Sequence, residues 1–570
     1  MDIRWTAKSL PNQEIVARLS KELNVSEPMA TILVQREIDT YEKAKNFFRP
    51  ALSELHDPYL MKDMEVAYRR IKDAIKAQES LMVYGDYDVD GTTAVSLVYS
   101  YFKTLNQNIE YYIPDRYKEG YGISKMGIDH AKANGVTLII ALDCGIRSNE
   151  LVDYAKSIGI DFIICDHHLP GAELPNAVAI LNPKRKDCEY PYKELSGAGI
   201  GFKLLQGYSK REGFSEDKAM EYIDLVAVSI AADMVDMRGE NRILAYYGLK
   251  KLNENPSLGL QALMDGGPKK QSYSIQDIVF GIGPKINAAG RISDAKAAVR
   301  VLIETEYTKA MQLSRVLNDR NDERKELDTD ITKTAIELIN SHPDMANRRS
   351  IVIKGDEWHK GVIGIVASRM VEQYYKPTIV FSLNDGMLTG SARSVKNFDI
   401  HEAITQCSDL VEQFGGHKYA AGLSVKAENF DAFVEKFEAL VARDILNASL
   451  TPEVEYDLEI DIDSITPNMM KLIGQMSPFG PGNPQPIFMS QKLKSNNSPR
   501  ILKDKHLKLQ LQQNNSRFMI DGIGFGLAEQ LPVVTNNAIF DACYCIEENF
   551  YNGQVKLQLR LRDLRKTRTS

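Results

Sequence analysis

The chain has 570 residues, 44% hydrophobic and 26% charged, with a formal net charge of −7. Such a composition fits an ordinary soluble globular protein of about three or four domains. No apolar run approaches the roughly 20 residues that cross a bilayer, and the negative balance excludes indiscriminate coating of nucleic acid while leaving room for a local basic groove.

Residues 1–75 read as a helical segment punctuated by Pro11, Pro28, Pro50 and Pro58, ending in an amphipathic helix over Asp63–Lys76. Met1–Leu10 lacks the apolar core of a signal peptide, so a cytoplasmic protein is expected. The six cysteines show no CxxC spacing and are expected to be reduced thiols.

The stretch Val83–Ala94, VYGDYDVDGTTA, carries three alternating aspartates behind the apolar run Leu81–Val83. It reads as a strand, a glycine turn and a Thr-capped helix. Alternation on an extended backbone would send Asp86, Asp88 and Asp90 to one side. Clustered carboxylates stay ionised only with a cation between them, and oxygen donors suit a hard divalent ion. A solvated acidic turn is the competing reading.

Up to residue 240, short apolar strands alternate with helices: Leu81–Tyr84, Ile109–Ile113, Leu138–Leu142, Phe162–Cys165 and Ala177–Leu181. This pattern predicts an α/β fold, with a parallel sheet covered on both faces and ligands at the carboxyl ends of the strands. One strand ends in Asp143-Cys144-Gly145 and another in Asp166-His167-His168, and the apolar segment Leu225–Ala232 closes on Asp233 and Asp236. A single such end is ordinary, because Asp often caps a following helix. Seven Asp and two His from four converging segments predict a two-metal site that clamps a phosphoryl group.

Residues 301–345 read as connecting helices, with the charged run Asn321–Glu326 on a solvated face. A second α/β unit is expected from about 346, with strands Ser350–Ile353 and Thr378–Phe381 and a helix through Arg369 between them. Gly415-Gly416-His417 reads as a tight loop whose backbone amides approach an anion. From about 450 the pattern turns to short alternating strands, Val454–Ile460, Leu507–Leu511 and Val555–Leu561. Between Gln491 and Leu511 six Lys or Arg face one acidic residue, and Lys556, Gln558, Arg560 and Arg562 lie opposite an apolar face. A basic amphipathic strand of this kind fits an OB-like barrel for single strands; a solvated barrel face is the alternative.

The motifs GDYDVDG, LDCG, CDHH and AADMVDM resemble, in order, motifs I to IV of the DHH phosphoesterases, named for the tripeptide Asp166-His167-His168. Phe414–Gly422, FGGHKYAAG, is similar to the GGHxxAAG signature of the associated DHHA1 domain. Ile286–Ile292 (INAAGRI) and Phe479–Pro484 (FGPGNP) narrow the resemblance to the family's bacterial 5′-to-3′ exonucleases specific for single-stranded DNA, from about residue 45 to 565.

The resemblance implies an N-terminal helical segment (1–75), a parallel-sheet DHH catalytic domain (76–300), connecting helices (301–345), a DHHA1 substrate-binding domain (346–448) and an OB-like nucleic-acid-binding β-barrel (449–570). It implies two ions, Mn2+ or Mg2+. Asp143 would bridge them, Asp88 and Asp86 would complete the first, and Asp90, His167 and Asp233 the second. His168, with Asp166, would face the scissile phosphate as the catalytic pair, and Asp236 would stand behind the ligands. Arg116 and Arg291 would bind phosphate, because a guanidinium pairs with it in bidentate fashion. Ser391 and Arg393 would hold a terminal phosphate beside Gly415 and Gly416, and His359, Arg369 and His417 would line the path of the strand. The implied protein is a monomeric enzyme of DNA repair and recombination, with no membrane attachment and with single-strand binding protein and a helicase as partners. Two alternatives stay open: a phosphodiesterase for short oligoribonucleotides or cyclic dinucleotides, and a non-catalytic DNA-binding scaffold.

Overall fold

The computed structural model describes residues 3–292, 294–496, 498–513, 516–551 and 554–567. The chain forms two compact units, Ala7–Asn318 with Glu455–Ser570, and Met1–Thr6 with Asp319–Val454. Among the described residues, no helix is long and apolar enough to cross a membrane. The amino-terminal region is helical over Gln13–Leu23, Glu27–Gln35, Tyr41–Phe48 and Met64–Lys76, but Arg4–Ala7 is a strand, which corrects the all-helical expectation.

The first unit is organised on five parallel strands: β1 (Ser80–Gly85), β2 (Ile109–Tyr112), β3 (Val136–Leu142), β4 (Asp161–Cys165) and β5 (Ala179–Leu181), in the order β2-β1-β3-β4-β5. Leu81–Tyr84 and Leu138–Leu142 are wholly buried. Their uninterrupted apolar sequence follows, because a parallel sheet covered on both faces has no solvent side to mark with polar residues. Gly85 pairs with Leu142 and Leu142 with Cys165, so β1, β3 and β4 end at one level. The strand order reverses beside β1, and the carboxyl-end crevice at such a switch point is where open α/β sheets bind ligands.

Three helices back that edge: α1 (Val89–Lys103), α2 (Gly197–Glu212) and α3 (Ile223–Ala232). α3 is the apolar segment before Asp233, and Ile223–Ala231 is buried throughout. A π-helical turn, Ile278–Ile282, leads into α4 (Gly283–Ile292). The long helix α5 (Tyr307–Ser341) counts with the first unit through Asn318 and with the second from Asp319.

The second unit is a mixed sheet with β6 (Ile351–Asp356), helix α6 (Ile363–Tyr374), β7 (Thr378–Asn384), β8 (Met387–Arg393), β9 (Gln413–His417) and β10 (Ala420–Lys426). The order is β9-β10-β8-β7-β6, with β6 and β7 parallel and the rest antiparallel. Gly415-Gly416-His417 is therefore not a loop. It belongs to β9, an edge strand exposed along its whole length.

The carboxyl-terminal part returns to the first unit as seven strands: β11 (Leu458–Glu459), β12 (Phe488–Ser495), β13 (Arg500–Leu502), β14 (His506–Gln513), β15 (Ile520–Gly524), β16 (Phe540–Tyr551) and β17 (Gln554–Lys566). Their order is β11-β12-β16-β17-β15-β14-β13, and a further pairing of β12 with β14 closes a barrel. Leu507, Leu509, Leu511, Leu559 and Leu561 fill it. Arg242 ties this part to the rest of the unit, its buried guanidinium donating to the carbonyls of Phe47 (3.1 Å), Met476 (2.9 Å), Ser477 (3.1 Å) and Pro478 (3.2 Å).

Candidate metal centre and substrate surface

The chain leaves β1 at Gly85 and turns at once into α1. Asp88 caps that helix, its Oδ1 accepting from the Gly91 amide at 3.0 Å, so the expected threonine cap is replaced by an aspartate. Asp90 then lies in the first helical turn. The three aspartates are thus not strung along an extended strand; a strand end, a cap and a helix start deliver them in turn. Gly91 makes the fold possible, since a Cβ there would stand 2.4 Å from the Asp86 carbonyl oxygen.

Asp90 is locked from behind. Its two oxygens accept from the amides of Gly197 (2.7 Å) and Ala198 (2.8 Å) at the start of α2, and Oδ1 also accepts from Ser229 Oγ (2.7 Å) on α3. Asp143 follows β3 in the left-handed region at φ 58° and packs against Gly197, where a Cβ would lie 2.7 Å from its own. From the end of β4, His167 Nε2 reaches to 3.2 Å from Asp143 Oδ1, 3.6 Å from Asp233 Oδ2 and 3.9 Å from Asp90 Oδ2.

Two groups with metal-ligand spacing result, Asp90-His167-Asp233 and Asp143-His167-His168, and they share His167. The first holds the three residues that the resemblance implies for the second ion. Asp86 and Asp88 stand beside these groups: Asp86 is fully buried, and its Oδ1 accepts from the Gly122 amide at 3.3 Å. Asp236 belongs to neither; Arg238 takes its carboxylate with Nη2 at 2.7 Å. The segment Phe479–Pro484 props this turn, with the Met237 amide donating to the Pro481 carbonyl at 2.6 Å.

The donor set fits divalent ions on two counts. Asp86 Oδ2, Asp143 Oδ1 and His167 Nδ1 are buried and have no hydrogen-bond partner among the described residues. Such groups are costly unless something else satisfies them. The electrostatics agree: burial, then the neighbouring carboxylates, push Asp86, Asp88 and Asp143 above the usual carboxylate range and carry Asp233 up to about 8. Burial holds His167 below its ordinary value, in the neutral form that ligates metals. Oxygen-rich sites with an imidazole suit Mn2+ or Mg2+.

His168 differs from its neighbour. Its Nδ1 lies 2.7 Å from Asp166 Oδ1, and its Nε2 faces the Tyr121 hydroxyl at 3.3 Å. Against burial, the Asp166 hydrogen bond raises His168; against burial again, His168 lowers Asp166. Asp166 Oδ2 also accepts from the Ile146 amide at 3.0 Å, so the carboxylate is fixed and fixes the ring in turn.

Arg116 and Arg291 both belong to the rim of this centre. The Arg116 guanidinium sits 4.9 Å from the ring centroid of Tyr87, between Asp86 and Asp88 in sequence. The Arg291 carbonyl accepts from the Tyr117 hydroxyl, and Gly290 presses α4 onto the Tyr87 carbonyl, where a Cβ would lie 2.9 Å away.

In the second unit, the β-ladder aligns Ser391 with Gly422 and Gly415, and Arg393 with Ala420 and His417. Residues two apart on a strand share a face, so these six form one sheet face almost bare of side chains beyond its two ends. A Cβ on Gly364, in the first turn of α6, would meet Ser391 Oγ at 2.9 Å and Arg393 Nη2 at 3.0 Å. Helix start, hydroxyl and guanidinium thus converge on one spot, an arrangement whose chemistry suits an anion. His359 lies half-buried in the loop before α6 and accepts from the Gly361 amide at 3.1 Å. Arg369 is paired in bidentate fashion with buried Asp328, at 2.8 and 2.6 Å.

Sequence reasoning missed Ser196–Gly199 and Ser229 behind Asp90, Tyr121 beside His168, and Gly364 and Gly422 in the second unit. The run Ser-Gly-Ala-Gly opening a helix was a usable signal, because it marks a cap whose amides a carboxylate approaches closely.

Residues 80–230 match the DHH family, N-terminal domain; 347–443 match the DHHA1 domain; 456–563 match the RecJ OB domain. The single-stranded-DNA-specific exonuclease RecJ of Bacillus subtilis (strain 168) is 34% identical over 566 residues, covering 98% of this chain and 70% of the relative. The protein of that name from Escherichia coli (strain K12) is 31% identical, covering 87% of this chain and 89% of its own. The crystal structure of RecJ in complex with Mn2+ from Thermus thermophilus superposes with a TM-score of 0.85 at 26% identity, over 100% of this chain and 80% of that one; the Mg2+ complex gives 0.79 at 25%.

Proposed function

The chain belongs to the RecJ family of DHH phosphoesterases, and from that membership we propose that it is a metal-dependent exonuclease that hydrolyses phosphodiester bonds of single-stranded DNA, working in DNA repair and recombination. The observation that carries the reading is the pair of carboxylate–imidazole groups sharing His167 at the carboxyl edge of the parallel sheet.

Asp90, Asp143, His167 and Asp233, flanked by Asp86 and Asp88, would hold two divalent ions. When bound, these supply an activated water and neutralise charge on the phosphoryl oxygens. The protein's own groups do the rest. Asp166 orients His168 so that its Nε2, which Tyr121 contacts at 3.3 Å, is presented to the scissile phosphate. Arg116 and Arg291 bind the flanking phosphate oxygens. In the second unit, Ser391, Arg393 and the start of α6 take the 5′ phosphate, with Gly415 and His417 on the same face and Gly416 between them in the strand, which sets a 5′-to-3′ direction and release of mononucleotides. His359 and Arg369 line the path of the strand.

A phosphodiesterase for short oligoribonucleotides or cyclic dinucleotides needs the metal centre but no barrel, so the RecJ OB domain match at 456–563 weighs against it. A scaffold needs no ligands, yet every ligand position here is filled. An enzyme confined to single strands needs a strand-separating helicase and meets strands coated by single-strand binding protein, and its DNA places it in the cytoplasm. Digestion of 5′-labelled single-stranded DNA, duplex and dinucleotide, with and without Mn2+, tests the assignment. Single strands shortened only with metal support it; cleavage of the dinucleotide alone, or of nothing, overturns it.

A further inference from the structure

A cavity of about 370 Å3 lies where the amino-terminal helices, the turn after Asp233 and the segment Phe479–Pro484 meet, all within the first unit. Ile38, Phe47 and Ile243 give it apolar walls. Two polar residues set in those walls are not satisfied. Arg36 closes the helix Glu27–Gln35, and its side chain is 6% exposed. Its Nη1 meets Asp457 Oδ1 at 3.2 Å and its Nη2 donates to the Pro484 carbonyl at 3.0 Å, but Nε has no partner among the described residues. Asn483 is 1% exposed. Its Nδ2 donates to the carbonyls of Met476 and Pro478, both at 2.9 Å, while its Oδ1 has no partner among the described residues.

A buried donor and a buried acceptor left unpaired each cost free energy, and such pairs call for a ligand that answers both. The two stand close, because Arg36 bonds the residue next to Asn483. The charge is uneven as well: Asp457, the carboxylate beside Arg36, is also taken by Lys8 at 2.9 Å and by the Ile487 amide at 2.8 Å. The matching ligand carries an acceptor and an N–H side by side on a flat, largely apolar body. The edges of nucleobases have that form, and apolar side chains commonly enclose an unpaired base. Lys43 and Arg238 also line the cavity and are half-exposed, so cations stand at its mouth, where a phosphate would sit. A volume at the small end of ligand pockets holds one nucleotide and no strand.

We propose that this cavity binds a single nucleoside monophosphate, its base held between Arg36 Nε and Asn483 Oδ1 and its phosphate beside Lys43 and Arg238. The inference goes beyond the exonuclease reading and takes from it only one source of the ligand, the released mononucleotide. Free ribonucleotides of the same chemistry are the other source, and the test distinguishes them.

The experiment is calorimetric titration of the full chain, in chelator, with dAMP, AMP and deoxyribose 5-phosphate. Saturable binding of dAMP or AMP at one site is expected, at least about tenfold tighter than deoxyribose 5-phosphate, the worth of two hydrogen bonds to the base. Either nucleotide supports the site, and the tighter one names its source. Ala51→Leu and Ile243→Trp fill the cavity from two different walls. Each is expected to weaken nucleotide binding by about tenfold or more, with far-UV circular dichroism and the rate of single-strand digestion in Mn2+ unchanged. No saturable binding, equal affinity for deoxyribose 5-phosphate, or binding that a folded filled variant retains in full overturns the site. A wild-type protein that binds dAMP in this way but cuts no single strand overturns the nuclease reading instead, and the cavity assignment stands.

Discussion

Asp166 Oδ1 stands 2.7 Å from His168 Nδ1, although the two residues are separated by His167, whose ring points elsewhere. The backbone turn at the end of β4 sorts the three side chains: His167 goes inward to Asp90, Asp143 and Asp233, while Asp166 and His168 pair with each other. Asp166→Asn keeps the shape and removes the charge that holds the ring. Turnover should fall about 10- to 100-fold, as for other groups that orient a functional imidazole. Single-strand binding in chelator should stay at the wild-type value, and a parallel loss of binding would show that Asp166 supports the fold more than the ring.

Asp143→Ala and His168→Ala act on the centre directly. Each is expected to lower kcat by at least about a hundredfold while single-strand binding is kept. The check is single-turnover digestion of 5′-labelled strand at saturating Mn2+. A near-normal rate in either variant would remove that residue from the site.

The raised carboxyls make a prediction about pH. Asp233 is carried up to about 8, and Asp86 and Asp143 move the same way, against about 3.9 in an unfolded chain. The fold thus favours their protonated forms. The stability this gives is complete below the unfolded value and is lost as pH rises through the folded one. His167 lies below its ordinary value, so above about pH 7 it is neutral folded or unfolded; His168, raised against burial by Asp166, loses its stabilisation in the same direction as pH rises. The Tm of the metal-free protein should fall between about pH 7 and 9, and Mn2+ should raise Tm more at the upper end, with proton release on binding. A flat metal-free Tm across that window would contradict the clustering of these carboxyls.

Much of the centre was legible because strand ends announce it: Asp143 and Asp166 follow apolar runs that can only be interior strands. Their supports were not, because they come from far along the chain. The Gly197 amide that holds Asp90 is 107 residues away, and Ser229 is 139 residues away, on a helix whose sequence shows only that it is apolar. The alternation of Asp86, Asp88 and Asp90 suggests an extended strand, but the cap at Asp88 wins, since its side chain satisfies an orphan amide at the start of α1. Gly415 and Gly416 read as a loop because glycine usually marks one. In β9 Gly415 serves instead to leave a sheet face bare, a purpose visible only once Gly422 and Ser391 stand beside it.

Gly197→Ala tests that long-range support. Its Cβ would lie 2.7 Å from the Asp143 Cβ, too close for either to stay in place, while the Gly197 amide also positions Asp90. Both metal-binding groups should be disturbed together. Mn2+ affinity is expected to fall about 10- to 100-fold, read by calorimetry, with far-UV circular dichroism unchanged. Undiminished affinity would mean that Asp143 can move without cost, and would put its bridging place in doubt.

The last test concerns the hold proposed for the second unit on the 5′ end of the strand. Gly364 stands at the start of α6, a helix of 12 residues with no side-chain cap, so its positive end is open to an anion. A Cβ there would stand 2.9 Å from Ser391 Oγ and 3.0 Å from Arg393 Nη2, filling the space where a phosphate would touch all three. Gly364→Ala should therefore raise KM about tenfold for strands bearing a 5′ phosphate, the loss of about one charge-assisted contact, and change it little for strands bearing a 5′ hydroxyl. Arg393→Lys should act in the same direction, because an ammonium cannot reproduce a bidentate grip. The measurement is the ratio of kcat/KM between the two kinds of 5′ end. A ratio that both variants leave at the wild-type value would show that the 5′ phosphate is held elsewhere, and with it would go the argument for the direction of cutting.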